Sequence, residues 1–324
     1  MLPCSYHNRR VNMSTVEQRL GDDFFTPEQR GFIAAGRAQV HALEHHVEQA
    51  LVGIPTPGSK QDYYLVGPTG TAKTTIVERY LKKYATDPKI RVIKISGVKS
   101  SYSFVMQLAV CLNKLGTGER LVIWVDDCNL FSGISALNMM LGALDPSTRL
   151  LVWDKDVTGD IARFQRQQRA SPDDSPGDEA LKNAFERFLA ESGTLGLELP
   201  TNHVTFLFTT NMDLARPANN VGRGSKMRET MIRSRVKYYE FNVAKSRSLA
   251  WGWNAAVVLD RPFPGIAASL TEEQRGTLMA WQFANWDRLN GSDLRIAQDY
   301  AEVMIAEPKD FEKTWAMMLE PVEA

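Results

Sequence analysis

The sequence predicts an α/β protein in which a parallel five-stranded P-loop sheet is sandwiched by helices and followed by a small all-helical lid domain. Five short apolar runs alternate with segments of helical periodicity, which is the pattern of a parallel sheet covered on both faces. A glycine-bearing loop ending in Lys-Thr lies between the first run and the next helix. From about residue 243 onward only helix-like segments occur, at 246–259, 271–289, 292–306 and 308–319.

A local sequence pattern predicts each strand of the sheet and the long helix before it. The expected strands are 63–66, 91–97, 121–125, 204–208 and 236–241. The run at 121–125 is apolar throughout, which is typical of a strand buried on both faces. Apolar residues at helical spacing predict one long helix from Pro27 to Val52, and Pro55 and Pro57 mark its end.

An insertion at about 149–199 interrupts the alternation before the fourth strand. Its two ends, 149–153 and 195–199, are expected to pair as strands, and helices are expected at 161–170 and 179–192. The predicted organisation is therefore an N-terminal extension (1–26), a nucleotide-binding domain (27–242) that contains the insertion, and a helical domain (243–324).

The composition is that of an ordinary soluble globular protein, with 44% hydrophobic and 23% charged residues among 324. The formal net charge is zero, so bulk electrostatics give no argument for a nucleic-acid or membrane partner. No apolar run reaches the roughly 18 residues of a membrane span, and the N-terminus has no apolar signal core. Cys4, Cys111 and Cys128 lack metal-ligand spacing, and their odd number fits a reducing compartment, so we expect a cytoplasmic protein without membrane contact.

The loop GPTGTAKT, from Gly67 to Thr74, is the clearest sign of chemistry. Backbone N–H groups of such a loop and the N-terminus of the following helix together surround a polyphosphate. We expect Lys73 to contact the β- and γ-phosphates of a nucleotide and the Thr74 hydroxyl to bind Mg²⁺. Ala72 stands where glycine is usual, and alanine costs about 1 kcal/mol there if φ is positive. The expected nucleotide-binding residues are Gly67, Pro68, Thr69, Gly70, Thr71, Ala72, Lys73, Thr74 and Thr75.

Polar residues at the ends of two later strands complete the predicted site. Asp126 and Asp127 directly follow the apolar run, at the strand end where open α/β sheets bind ligands. Asp126 is expected to hold Mg²⁺ together with Thr74, and Asp127 is expected to orient or deprotonate the attacking water. Asn211 follows the next strand and is expected to orient the same water and sense the γ-phosphate.

Five segments in this order resemble the motifs of AAA+ ATPases. They are 67–74, 125–127, 208–211, 234–236 and 291–295, in the places of Walker A, Walker B, sensor 1, the arginine finger and sensor 2. The resemblance extends from about residue 27 to the C-terminus. It implies that Arg235, or its close competitor Arg233, acts in the active site of a neighbouring subunit, and that Arg295 on a lid helix contacts the γ-phosphate. It therefore implies a Mg²⁺-dependent ATPase that assembles as a homo-oligomeric ring, with a hexamer as the expected size.

Other features resemble particular branches of this family, and they leave open what the ATPase acts on. The Ala-Lys-Thr ending of the loop and the insertion before sensor 1 are similar to MoxR-type and chelatase-like proteins, which favours a chaperone that remodels a protein partner. The Asp-Asp pair resembles replication initiators, so a replication factor of the clamp-loader, initiator or helicase-loader type is the alternative. A nucleotide-gated scaffold with little hydrolysis is the third hypothesis.

Two further segments bear on the partner. Arg163, Arg166 and Arg169 lie along one side of the helix expected at 161–170, where they could contact a nucleic acid, although a solvated basic face is the simpler interpretation. Tyr102 and Phe104 lie where many AAA+ rings carry an aromatic residue at the pore, and packing on the sheet is an equal alternative.

Overall fold

The computed structural model describes residues 25–53, 58–68, 70–84, 86–96, 101–127, 134–153, 197–211, 230–241, 246–260, 269–289 and 294–319. The chain divides into two compact units. We call them the sheet unit, which has the described residues of 42–68 and 72–241, and the helical unit, which has those of 25–41, 70–71 and 246–319.

A five-stranded parallel sheet forms the centre of the sheet unit, which confirms the predicted fold class. In chain order the strands are β1 (Tyr63–Val66), β2 (Ile90–Ser96), β3 (Arg120–Asp126), β4 (Leu150–Trp153), β5 (Leu197–Pro200), β6 (Val204–Thr210) and β7 (Lys237–Glu240). The order across the main sheet is β2-β3-β6-β1-β7, and each adjacent pair is parallel. Strand β6 therefore lies between β1, which leads into the P-loop, and β3, which ends at the two aspartates.

The ends of the insertion pair as predicted. Strands β4 and β5 form a separate antiparallel sheet in which Leu150 lies opposite Pro200 and Trp153 opposite Leu197. The helices predicted at 161–170 and 179–192, and with them the three arginines of the expected basic face, lie outside the described residues.

Helices cover both faces of the main sheet. They are α2 (Lys73–Tyr84), α3 (Ser101–Asn113) and α4 (Ile134–Leu144). Leu121, Ile123 and Val125 of β3 join the buried side chains of α3 and α4 in one hydrophobic core. Because side chains alternate along a strand, Trp124 and Asp126 point to the opposite face, where Asp126 meets Thr74 of α2. The buried pattern of β3 confirms that its continuous apolar run belongs to a central strand.

Phe104 packs in this core. Its side chain is fully buried on α3, and its ring lies 6.3 Å from that of Phe206 on β6. For Phe104 the packing alternative is therefore confirmed over the pore alternative, whereas the side chain of Tyr102 lies outside the described residues.

Helix α1 (Pro27–Val52) has the predicted bounds, and from residue 42 onward it belongs to the sheet unit. The other elements of the helical unit are α5 (Arg247–Asp260), α6 (Glu272–Ala284), a 3₁₀ helix (Trp286–Arg288), α7 (Leu294–Ala306) and α8 (Phe311–Met317). Trp251, Trp253 and Trp315 are fully buried and form part of the hydrophobic core of this unit. Gly252 allows α5 to approach α1 closely, because a Cβ there would lie 2.2 Å from the carbonyl oxygen of Phe32.

The predicted bounds of two C-terminal helices were wrong. Helix α6 begins as predicted, with Thr271 and Gln274 in a capping box, but it ends at Ala284 instead of continuing to residue 289. Asn285 leaves the helical region with φ −113°, and a 3₁₀ turn follows. The last helix begins only at Phe311, because Asp310 donates its N–H to the Glu307 carbonyl in a preceding turn.

Within the part of the chain that the structure describes, no helix has both the length and the apolar character needed to cross a membrane.

Candidate functional site

The P-loop leaves β1 in a tightly held conformation. The N–H of Gly67 donates to the Thr210 carbonyl at 3.1 Å, and a Cβ at Gly67 would lie 3.0 Å from the Phe241 ring. Gly70 has φ +73°, and Ala72 has φ +59°. Alanine was predicted to cost about 1 kcal/mol at position 72 if φ is positive there, and φ is positive. Helix α2 begins one residue later, so its N-terminus, with Thr75 in the first turn, adjoins the loop, and a helix N-terminus favours anions.

Lys73 is buried with its ammonium group held by the loop itself. Its Nζ donates to the carbonyl oxygens of Gly67 at 2.8 Å and Pro68 at 2.7 Å. Burial lowers the pKa of Lys73 to about 8, although the charges of Asp127 and Asp126 act in the opposite direction. Burial disfavours the charged form of Lys73, so an anionic ligand bound beside the ammonium group would stabilise that charged form.

Asp126 stands at the centre of a network of hydroxyl groups. Thr74 Oγ1 donates to its Oδ1 at 3.1 Å, and Thr209 Oγ1 donates to the same oxygen at 2.7 Å. The indole N–H of Trp124 donates in turn to Thr209 Oγ1 at 2.8 Å, which fixes the direction of that hydroxyl. A buried carboxylate beside a threonine hydroxyl is a set of hard oxygen donors, and it fits Mg²⁺, which is held in proteins by one or two carboxylates together with substrate phosphates and water.

Thr209 and Trp124 were not among the predicted site residues. The polar Thr-Thr pair that ends the apolar run of β6 was the available signal for Thr209. Trp124 carried no signal, because a tryptophan within an apolar run is expected simply to pack in the core.

Asp127 and Asn211 meet at the same edge of the sheet, as predicted. The backbone N–H of Asn211 donates to Asp127 Oδ1 at 3.2 Å, and the Asp127 N–H donates to the Thr209 carbonyl at 2.9 Å. Both side chains are exposed. Asp127 has φ +47°, a strained conformation for a residue other than glycine, and such residues are concentrated at functional sites.

Lys94 is a second cation at this edge that the sequence analysis missed. Its Nζ lies 3.5 Å from Asp126 Oδ2 and 3.0 Å from Glu78 Oε1 on α2. Desolvation acts to lower the pKa of Lys94, but the hydrogen bond to Glu78 and the charge of Asp126 outweigh it and raise the pKa above its usual value. A lone lysine within the run RVIKIS was the only available signal.

The two candidate arginine fingers have different environments in the short segment before β7. Arg235 is half-buried; its Nη1 donates to the Met231 carbonyl at 3.0 Å, and its Nη2 lies 3.4 Å from Asp145 Oδ2. Arg233 is exposed, and its guanidinium carbon lies 3.6 Å from the centre of the Tyr238 ring. Arg235 is therefore held by contacts within the chain, whereas Arg233 presents its charge at the surface.

Two P-loop residues belong to the helical unit and are held there. The carbonyl of Gly70 accepts the Leu294 N–H at 3.1 Å, and the carbonyl of Thr71 accepts the Trp253 indole N–H at 3.2 Å. Arg295, the predicted sensor 2 residue, follows Leu294 in the first turn of α7 with its side chain exposed. Among the predicted site residues, Thr69 lies outside the described residues.

Comparison with protein-family models gave no match, and comparison with curated proteins gave none either. Among solved structures the chain is similar to a chain in the crystal structure of Rif2 in complex with the C-terminal domain of Rap1 (Rap1-RCT). The two share 9% sequence identity with a TM-score of 0.34, and the match covers 90% of this chain and 89% of that chain. A likeness of this degree carries no argument about fold or function, so a functional proposal for this protein has to come from the geometry of its site.

Proposed function

We propose that this protein is a Mg²⁺-dependent ATPase of the AAA+ type that remodels a macromolecular partner. The observation that carries the proposal is the joint placement of Lys73, Thr74 and Asp126 where parallel strands end. Lys73 of the P-loop is buried in the first turn of α2, and the Thr74 hydroxyl lies 3.1 Å from the carboxylate of Asp126. A phosphate cradle beside a metal carboxylate is the arrangement that phosphoryl transfer requires.

The residues of the site divide the work of hydrolysis. Lys73 would exchange its bonds to two loop carbonyls for bonds to phosphate oxygens, and Thr74 and Asp126 would hold Mg²⁺. The metal supplies charge that offsets the negative charge developing on the β- and γ-phosphates. Asp127 orients the attacking water as the candidate base, and Asn211 lies beside it for the same task.

The arginine that completes the site comes from a neighbouring subunit in this proposal, so the protein works as a ring with a hexamer as the expected size. The geometry favours Arg233 over Arg235 for this role. Arg235 is half-buried and would have to give up its bonds to Met231 and Asp145, whereas the guanidinium of Arg233 is exposed over the Tyr238 ring.

ATP binding and turnover of the wild type and Lys73→Ala test the proposal. We expect Lys73→Ala to weaken ATP binding by at least a hundredfold, because a buried cation aimed at the phosphates is lost. Lys82→Ala, which removes an exposed lysine from the same helix, is the matched control and should behave as the wild type. Equal ATP affinity in the wild type and Lys73→Ala would contradict the proposal.

The same assay separates the possible partners. Turnover is measured without additions, with single-stranded DNA and with double-stranded DNA. The preferred role is that of a chaperone that acts on protein alone. Stimulation of turnover by either DNA would contradict this role and would favour the replication-factor alternative. Particle mass measured with and without ATP tests the ring.

One observation favours a second candidate, a nucleotide-gated scaffold with little hydrolysis. The carboxylate of Asp127 already accepts the Asn211 N–H at 3.2 Å. This hydrogen bond occupies one of the two oxygens that would otherwise accept a hydrogen bond from the attacking water. ATP-dependent assembly without turnover under any condition would favour this scaffold over the ATPase.

A further inference from the structure

Lys94 lies beside the carboxylate that is expected to hold the metal, yet the mechanism above assigns it no task. Its ammonium group is 3.5 Å from Asp126 Oδ2, and its side chain is 37% exposed. A cation in this place is not required by phosphate binding, which Lys73 already serves from within the P-loop.

The fold positions Lys94 with some precision. Lys94 of β2 lies directly opposite Trp124 of β3 in the parallel register, so both side chains point to the face that carries Asp126. The ammonium lies 4.2 Å from the centre of the Trp124 ring, and the indole N–H bonded to Thr209 fixes that ring. A cation over a tryptophan face is held electrostatically as well as by packing.

Glu78 restrains the same ammonium group from the other side. Its Oε1 lies 3.0 Å from Lys94 Nζ, closer than the nearest oxygen of Asp126. Lys94 is thus shared between a carboxylate of α2 that takes no part in the proposed chemistry and the metal carboxylate of β3. The balance between these two contacts sets how much positive charge Asp126 experiences before a metal arrives.

We propose that Lys94 is a positioning residue that limits how tightly the Asp126 site takes Mg²⁺, and that Glu78 moderates it. Lys94 competes with the metal because two cations near one carboxylate repel each other, and a divalent ion experiences this repulsion twice over. The inference rests on the proposed function, since it concerns the metal site of the same nucleotide complex.

The two residues are expected to act in opposite directions. Removing the Lys94 charge strengthens the binding of Mg²⁺ and weakens that of metal-free ATP, since a cation near the phosphates is lost. Removing the Glu78 charge lets Lys94 move toward Asp126 and takes a negative charge away, so metal binding weakens. Because Lys94 and Glu78 are partly exposed, water and salt reduce each effect to roughly two- to tenfold.

The test is the dissociation constant of ATP measured by titration calorimetry in Mg²⁺ and again in EDTA, with no turnover required. The quantity compared is the ratio of the EDTA value to the Mg²⁺ value. We expect this ratio to rise about three- to tenfold in Lys94→Met, whose apolar stem still covers Trp124, and to fall about two- to fivefold in Glu78→Gln. Lys94→Arg keeps the charge and should stay near the wild type, and so should the control Lys82→Met. Circular dichroism confirms that each variant is folded.

The outcomes separate the inference from the proposed function. No ATP binding by the wild type in either buffer would overturn the proposed function and the inference with it. ATP binding with an unchanged ratio in Lys94→Met, or a ratio that falls, would overturn the inference alone. A ratio that rises equally in Lys82→Met would also overturn it, because the effect would then belong to net charge and not to the position of Lys94.

Discussion

Charged residues are buried at both ends of the parallel sheet, but their partners differ between the amino edge, where the strands begin, and the carboxyl edge, where they end. At the amino edge Arg149 pairs directly with Asp62, and its guanidinium also donates to the carbonyls of Thr201 and Val204. At the carboxyl edge Lys73 donates to loop carbonyls, while Asp126 accepts from hydroxyl groups. The two buried charges are thus joined to each other at the amino edge. At the carboxyl edge the buried Lys73 and Asp126 are held on separate partners, and the cation 3.5 Å from Asp126 is the exposed Lys94. The first arrangement pairs each buried charge within the fold, and the second leaves charge available for a ligand.

A second arginine at the amino edge, Arg233, has a different environment. Arg233 lies in the segment that leads into β7, and its backbone carbonyl accepts the Lys60 ammonium at 2.7 Å, but its side chain is exposed. In a ring, an exposed guanidinium at the amino edge of one subunit is suited to complete the carboxyl edge of the next.

The largest expected effect is therefore on turnover in Arg233→Ala. We expect kcat to fall about a thousandfold, equivalent to about 4 kcal/mol in the barrier, with ATP affinity nearly unchanged, because an arginine finger stabilises charge only in the transition state. Steady-state turnover and equilibrium ATP binding, measured separately, check this.

Mixed assemblies sharpen the same prediction. Lys73→Ala lacks its own nucleotide site but keeps Arg233, so mixing it with Arg233→Ala should restore part of the turnover. Arg235→Ala is the control, and its main expected effect is a loss of stability of about 1 kcal/mol through the contacts to Met231 and Asp145. Turnover lost in Arg235→Ala and kept in Arg233→Ala would reverse the assignment.

The next effect in size concerns stability at the amino edge. Arg149→Ala leaves the fully buried Asp62 carboxylate without its cation, so we expect the free energy of unfolding to fall by about 3–5 kcal/mol. Urea denaturation followed by far-ultraviolet circular dichroism measures it. Lys73→Ala also removes a buried cation but should change the free energy of unfolding by only about 1 kcal/mol. The carbonyls of Gly67 and Pro68 that accept its hydrogen bonds are neutral, and Asp126 keeps its bonds to hydroxyl groups. Equal losses in the two variants would remove the distinction between the edges.

A smaller effect is expected from the pH dependence of the same pair. Burial raises the pKa of Asp62 to about 6, against the opposing charge and hydrogen bonds of Arg149 and the N–H of Phe206. The folded-state pKa thus lies above the unfolded-state value, so Asp62 contributes stability that is fully present below about pH 4 and is lost as the pH rises through 6. Asn at this position has no proton to lose. The free energy of unfolding of Asp62→Asn, relative to the wild type, should therefore rise by about 2 to 3 kcal/mol between pH 4 and pH 7.

Denaturation of both proteins at a series of pH values checks this slope. A flat difference, or one that falls with pH, would show that the attraction of Arg149 outweighs the desolvation of Asp62. The ion pair of Asp62 and Arg149 would then be strongly favourable, because its attraction would exceed the cost of burying the two charges.

The carboxyl edge could be predicted from the sequence because its residues follow one another along the chain. Lys73 and Thr74 stand in a contiguous loop, and Asp126 and Asn211 directly end apolar runs whose alternation with helices predicts a parallel sheet. The ends of parallel strands meet at one edge whatever the details of packing. The sequence therefore predicts that these residues lie close together, and the prediction requires no knowledge of side-chain contacts.

The amino edge could not be predicted in the same way. Asp62 and Arg149 are 87 positions apart, and each stands alone among polar residues before a strand. Their pairing depends on where the start of β4 lies against the start of β1, which a one-dimensional pattern does not contain. Lys94 was missed for a related reason, because its meaning comes from its register opposite Trp124 and not from its own neighbours in the chain.

The smallest expected effect tests whether the P-loop carries strain that the rest of the sheet unit does not. Ala72 has φ +59°, so Ala72→Gly should raise the free energy of unfolding by about 1 kcal/mol, since glycine adopts this conformation without a Cβ clash. Ala42→Gly, inside helix α1 in the same unit, is the matched control and should lower it by about 1 kcal/mol, because glycine there loses more backbone entropy. Urea denaturation of the three proteins measures both values. If the two substitutions shift stability in the same direction, the conformation at Ala72 is not strained, and the alanine would then have to be explained by what the loop binds.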